Sequence, residues 1–335
     1  MTLRLPGAVA AEGVDEGVAA HYGDPFGEQR AMTEAVGLVD RSNRGVGSVT
    51  GADRLSWLHS LTTQHLSALP PWRGTQSLIL SPHGHIEHHV VLADDCATTW
   101  LDVEPGTIPA LLAFLDSMRF MLRVEPADVT ADWAVLSLVG PAAAQAVTAL
   151  EAEVGGQPYD CAPLPDGGLL RRMPGLPTTI DLVVPRTASQ QVTQRLVSAG
   201  ARPAGVWACE ALRVAARRPR LGFETDHRTI VQEGAWEQVA VHLDKGCYRG
   251  QETVARVHNL GRPPRKLVLL HLDGSAERLP ARGTAVTLEG RPVGFVGTAV
   301  RHHEMGPIAL AIVRRSTADD ALLRIDEVDA AIDAA

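Results

Sequence analysis

The chain has 335 residues, of which 45% are hydrophobic and 21% charged. That length favours two or three domains with ordinary cores, and the composition excludes a disordered chain. Lys plus Arg is 31 against Asp plus Glu at 39, a net charge of −8, so there is no global attraction to nucleic acid or to an anionic membrane, and direct nucleic-acid binding is not expected.

Residues 1–29 read as a flexible lead-in without a basic-then-apolar signal. Nowhere does the chain approach the ~18 apolar residues of a membrane span. Residues 30–40 have helical spacing and 46–49 read as a short strand. Gly51-Ala52-Asp53 then opens an amphipathic helix with Leu55, Leu58 and Leu61 on one side. Residues 75–80 and 85–93 read as strands about the turn Ser81-Pro82-His83-Gly84. A strand at 99–103 and a helix at 109–118 complete a first α/β lobe, 30–131.

A second α/β lobe, 132–264, begins with an apolar strand at 133–139. Pro141 sits in the first turn of an alanine-rich helix that reaches about Leu150. A strand at 178–184 and helices at 187–199 and 207–216 follow. From 265 to 335 the pattern changes to short strands at 266–272, 285–289, 293–300, 308–313 and 321–325. Glu289-Gly290-Arg291 forms a hairpin turn among them, and Pro263-Pro264 marks the boundary. Such strands without intervening helices predict an antiparallel β-barrel. The fold class expected is α+β: two α/β lobes and a C-terminal barrel.

Four cysteines, Cys96, Cys161, Cys209 and Cys247, form no C-x-x-C pair. They are too sparse for a disulfide framework and point to a reducing, cytoplasmic setting. Cys247 has distinctive neighbours. Gly246 and Gly250 allow a loop that presents the sulfur, and Lys245 and Arg249 supply positive charge that favours a thiolate. Gln251 and Glu252 add an amide and a carboxylate. A buried structural cysteine is the competing reading, since cysteine is among the most buried residue types.

His83, His85, His88 and His89 cluster around Glu87. On a strand, His85, Glu87 and His89 share one face and make a candidate metal trio. A solvated hairpin with polar edge residues is the favoured reading, because no metal-spacing motif is present. The densest positive run is Arg213, Arg217, Arg218 and Arg220. It is either a local basic patch suited to carboxylate or phosphate, or a solvated helix end.

Lys245-Gly246-Cys247-Tyr248-Arg249-Gly250-Gln251-Glu252 resembles the K-G-C-Y-x-G-Q-E signature of YgfZ-type folate-binding, iron–sulfur-assembly proteins of the aminomethyltransferase superfamily. Ala211-Leu212-Arg213-Val214 with Pro219-Arg220-Leu221-Gly222, and Thr229-Ile230-Val231-Gln232-Glu233, resemble flanking segments of that family. Val49-Thr50-Gly51-Ala52-Asp53, Leu80-Ser81-Pro82-His83-Gly84 and Pro292-Val293-Gly294-Phe295-Val296-Gly297 agree with it. The resemblance implies a three-lobed fold around a folate pocket, with a tetrahydrofolate derivative as ligand. It implies folate contacts at Asp181, Arg213 and Glu233, and places Cys247 at the pocket mouth as a reactive thiol or transient ligand. The expected function is support of iron–sulfur cluster assembly or repair, including that of tRNA-modifying enzymes, with iron–sulfur proteins or their assembly machinery as partners. The alternatives are a folate-dependent aminomethyl- or methyltransferase and a non-catalytic binding module. His88 and His89 stand where aminomethyltransferases of glycine cleavage carry aspartates, which argues against that activity. Ala215-Ala216-Arg217 replaces the family's Glu-Ala-Gly, and Val231 replaces its proline.

Overall fold

A computed structural model describes residues 5–175, 177–274 and 278–333. The chain divides into two compact units. One comprises Met1–Ser60, Gln64–Ser77 and His89–Cys209; the other comprises Leu61–Thr63, Leu78–His88 and Glu210–Ala335.

In the first unit a six-stranded sheet runs in the order Cys161–Pro163, Leu169–Met173, Thr179–Pro185, Trp133–Val139, Gly37–Asp40, Arg202–Ala204. Its pairings are antiparallel except the last, which is parallel. Both faces are covered. Leu136, Leu138, Ile180 and Leu182 pack with Val192 and Leu196 of the helix Ser189–Ser198. The alternate residues Val135, Leu169 and Val183 meet Val46 and Ala93 of the neighbouring sheet. Period-two alternation therefore places an aliphatic side chain on each side, and each fully buried one contributes about 1.5–3 kcal/mol.

The second sheet has the order Arg73–Leu80, Ile86–Asp94, Thr98–Val103, Gly45–Thr50, Glu125–Asp128. Its first two strands continue along the chain from one unit into the other.

The helix expected at 30–40 lies earlier, at Pro25–Glu34, and Gly37–Asp40 is a buried strand. Asp24 Oδ1 accepts from Gly27 N at 2.8 Å and Pro25 opens the first turn, which fixes the start. A short continuous apolar run such as Val36–Val39 does not distinguish helix from doubly covered strand by period alone. The stretch read as a lead-in carries the paired strands Val9–Ala10 and Ala19–His21, with Val18, Ala19 and Ala20 buried. The alanine-rich helix shortens to one turn, Ala143–Ala146, followed by the 3-10 turn Val147–Leu150.

The second unit holds a closed barrel in the order Arg265–Leu272, Gly306–Arg314, Arg291–His302, Ala285–Leu288, Leu322–Ile325, Val328–Ile332, which pairs back to the first strand. All its pairings are antiparallel. Val268, Leu270, Val296, Ala309, Ala311 and Ile325 fill the interior. Closure leaves no free strand edge to recruit another chain. Beside it, Leu78, Leu80, Ile86, Val231, Trp236, Tyr248 and Val254 form a separate small core. The expected α+β class, with helices packed on sheets and a C-terminal antiparallel barrel, is what the structure shows. Among the described residues no helix is long and apolar enough to cross a membrane.

Candidate functional site

The segment around Cys247 is pinned at both ends and exposed in the middle. Lys245 is 5% exposed, and its Nζ donates to the carbonyl of Thr62 at 2.5 Å and lies 5.0 Å from the centre of the Tyr248 ring. Burial pulls its pKa down to about 8. It is one of two lysines in the chain, the other being Lys266. Tyr248 is buried in the small core, and burial with nearby Glu237 pushes its hydroxyl up to about 12.

Gly250 has φ +80°, and a Cβ there would come within 2.6 Å of Ser81 O and 2.9 Å of Gly84 Cα. The sequence needs glycine at this point because the loop turns left-handed while touching the hairpin turn. Thr253 Oγ1 donates to His83 O at 2.9 Å and completes the contact. Gln251–Leu260 is a helix not expected from the sequence, with Glu252 in its first turn. Gln251 Nε2 reaches back to Lys245 O at 3.5 Å. Between these anchors Gly246 and Cys247 are exposed. Arg249 is turned to Glu87, with Nη1 to Oε2 at 3.2 Å. Of the two cations expected to flank the thiol, one is thus buried on a carbonyl and the other paired with a carboxylate.

The hairpin histidines do not gather as a metal trio. His85 forms an isolated bridge with Ile230, Glu87 takes Arg249, and His89 Nε2 pairs with Gln76 Oε1 at 2.9 Å. Burial pulls His89 down to about 4, Glu104 working against it. Burial and then Arg249 lower His88 as well. Among the described residues, the group whose donor atoms lie close enough for a metal is His302, His303 and Glu304.

Asp181 lies in the first unit, 1% exposed, at the centre of a charge network that the sequence did not announce. Ser137 Oγ donates to its Oδ1 at 2.6 Å, and Arg171 Nη2 donates to its Oδ2 at 2.9 Å and to Asp102 Oδ2 at 2.8 Å. Arg44 reaches Asp102 with Nε and Glu104 with Nη1. Burial would raise the Asp102 carboxyl, but Arg44 and Arg171 offset this and hold it below the usual carboxylate range. The signal available in the sequence was charge at inward strand positions, Asp102, Arg171 and Asp181, where side-chain alternation predicts burial.

Arg213 and Glu233 lie in the second unit, in different clusters. All five N–H donors of Arg213 are used: Nε and Nη2 on Glu210, Nη1 on Arg218 O and Glu224, Nη2 also on Thr298. None is left for a ligand. Glu233, 2% exposed, takes Arg265 Nε and Nη2 on its two oxygens at 2.8 Å each. Arg265 also holds Asp226, whose carboxyl it keeps low against the opposing effect of burial. A pteridine needs carboxylate or guanidinium edges that face open space. In the structure Asp181, Arg213 and Glu233 each face partners within the protein. The arginine run is no open patch either: Arg217 pairs with Asp333 at 2.9 Å, and Arg220 lies 3.5 Å from Glu210 and stacks on Phe223.

Comparison with known proteins places these features. Residues 23–157 match the GCVT N-terminal domain, and residues 265–334 match the CAF17 C-terminal beta-barrel domain. A chloroplastic protein of Arabidopsis thaliana, named provisionally as a transferase, is 27% identical over 88% of this chain and 68% of its own. The glycine cleavage system aminomethyltransferase T of Bartonella henselae superposes with a TM-score of 0.84 over 97% of this chain and 93% of its own; at 18% identity this likeness concerns the fold alone. The aminomethyltransferase of Thermus thermophilus is 30% identical over 80% of this chain and 76% of its own. The chain belongs to the aminomethyltransferase family, with a GCVT N-terminal domain and a CAF17-type C-terminal barrel.

Proposed function

We propose that this protein is a cytoplasmic accessory factor for iron–sulfur cluster assembly or repair that acts through the Cys247 thiol and takes a tetrahydrofolate derivative as its ligand. The observation that carries the reading is an exposed cysteine on a loop held at both ends, by Lys245 on Thr62 and by Gly250 against Ser81 and Gly84. A sulfur held this way presents its lone pairs at a fixed place, as a nucleophile or a transient ligand requires. The folate ligand comes to the proposal from family membership. Asp181, Arg213 and Glu233 enter it as parts of the frame, since their partners are within the protein. Aminomethyl transfer is disfavoured because His88 and His89 replace carboxylates, and burial disfavours the charged form of both.

Complementation tests the thiol. In a strain lacking this protein, Cys247→Ser should fail to restore the activity of iron–sulfur enzymes while accumulating to the wild-type level; full restoration removes the role of the sulfur. Titration of the purified protein with tetrahydrofolate, followed by tryptophan quenching, tests the ligand separately, and the absence of saturable binding removes it.

A further inference from the structure

We propose that the barrel turn His302-His303-Glu304 binds a divalent first-row transition metal, zinc(II) foremost. The strands Arg291–His302 and Gly306–Arg314 pair up to His302 and Gly306, so the three-residue loop between them is tightly held. Gly306, with φ +68°, makes the turn possible. One ligand atom from each of His302, His303 and Glu304 lies within 4.8 Å of the others. Zinc holds imidazole nitrogen and carboxylate oxygen at about 2.0–2.2 Å, which separates its ligand atoms by roughly 3.5 Å. Closing that gap takes side-chain rotation of about 1 Å in a turn whose outer member, Glu304, is exposed.

The donors suit the ion. His302 is 6% exposed at the end of a barrel strand, and its Nδ1 accepts from Glu304 N and Met305 N, both at 3.2 Å. Nδ1 is thus the unprotonated nitrogen, the form that ligates a metal, and the contacts a cation displaces there are long ones. The His303 ring stands edge-on to it with centroids 4.6 Å apart. Glu304 adds a negative charge. Arg301 precedes this group, and strand alternation directs it to the opposite face. Two imidazoles and one carboxylate select a borderline ion such as zinc over calcium or magnesium, which require oxygen donors, and leave a fourth position for water.

The test is isothermal titration of the full-length Cys96→Ser/Cys247→Ser protein, stripped with EDTA, with zinc chloride and with calcium and magnesium chlorides as controls. One saturable zinc equivalent is expected, with ring-proton shifts confined to His302 and His303 in NMR spectra. His303→Gln and Glu304→Gln each should weaken it about tenfold or more without moving the metal-free unfolding midpoint. Absence of saturable zinc binding in the Cys96→Ser/Cys247→Ser protein, undiminished affinity in both His303→Gln and Glu304→Gln, or equal affinity for calcium overturns the proposal.

Discussion

Lys245 donates to the carbonyl of Thr62 from within a buried site, while Cys247, two residues further on, is exposed. The lysine therefore anchors the loop, and its charge works against its own burial. Its pKa of about 8 lies below the free value of about 10.4, so the ammonium is disfavoured in the fold at every pH below 8. Stability rises as pH climbs from about 8 to about 10.4, because over that range the unfolded chain binds the extra proton. The free-energy difference between the wild type and Lys245→Met should shift toward the wild type by about 2 kcal/mol from pH 8 to pH 10.5. Urea unfolding of both proteins at the two pH values measures it; a constant difference contradicts the assignment.

His89 behaves in the same sense at lower pH. Its folded pKa of about 4 lies below the free value of about 6.5, so its neutral form carries no cost above pH 6.5 and a growing one as pH falls to 4. His89→Gln keeps a partner for Gln76 and removes the titration. It should flatten the loss of stability between pH 6.5 and 4 by about 2–3 kcal/mol. Parallel wild-type and variant curves over that range would exclude it.

Asp181→Asn breaks one arm of a buried pair and leaves Arg171 with Asp102 alone. The expected loss is about 3 kcal/mol, read by denaturant midpoint. Coupling with Arg171→Met should recover part of it, since the double variant no longer buries a half-paired guanidinium. A loss below about 0.5 kcal/mol, the range of ordinary surface changes, would show that the pair is not what holds this sheet.

Gly250→Ala forces a Cβ at positive φ into Ser81 O. It should cost about 1–3 kcal/mol and change the alkylation rate of Cys247, because the loop's second anchor moves. Cys247→Ser, at an exposed position, should shift stability by no more than about 0.5 kcal/mol. Together the two separate a loop that positions the sulfur from one that merely carries it: an unchanged thiol rate in Gly250→Ala favours the second.

Much of the frame was legible in the sequence. The Gly-Pro-punctuated strands after residue 264 became the barrel, and the strand at 133–139 was found to the residue, because alternation and turn chemistry are local signals. Leu169–Met173 was missed because its outward and inward residues, Leu-Leu-Arg-Arg-Met, carry charge at a position the sheet buries. The helix after Cys247 was missed because it starts at a left-handed glycine without a side-chain cap. Asp181, Arg213 and Glu233 were legible as charged residues in apolar surroundings. Which groups they face depends on residues 10 to 85 positions away, such as Arg171, Arg265 and Thr298, and no local pattern encodes that. The His302-His303-Glu304 run was in plain view, but contiguous histidines on an extended strand point apart; only the tight turn turns them together.

The interleaved path of the chain limits how the protein can be cut and how it is made. Leu78, Leu80 and Ile86 belong to the small core beneath the cysteine loop, yet they leave the ribosome 162 to 176 residues before Tyr248 and Val254, which complete that core. A recombinant fragment starting at residue 210 would therefore carry a closed barrel beside a hollow where three large side chains belong. During synthesis the apolar residues flanking the hairpin turn stay uncovered until nearly half the chain has followed them, an interval in which exposed apolar surface is open to misassociation.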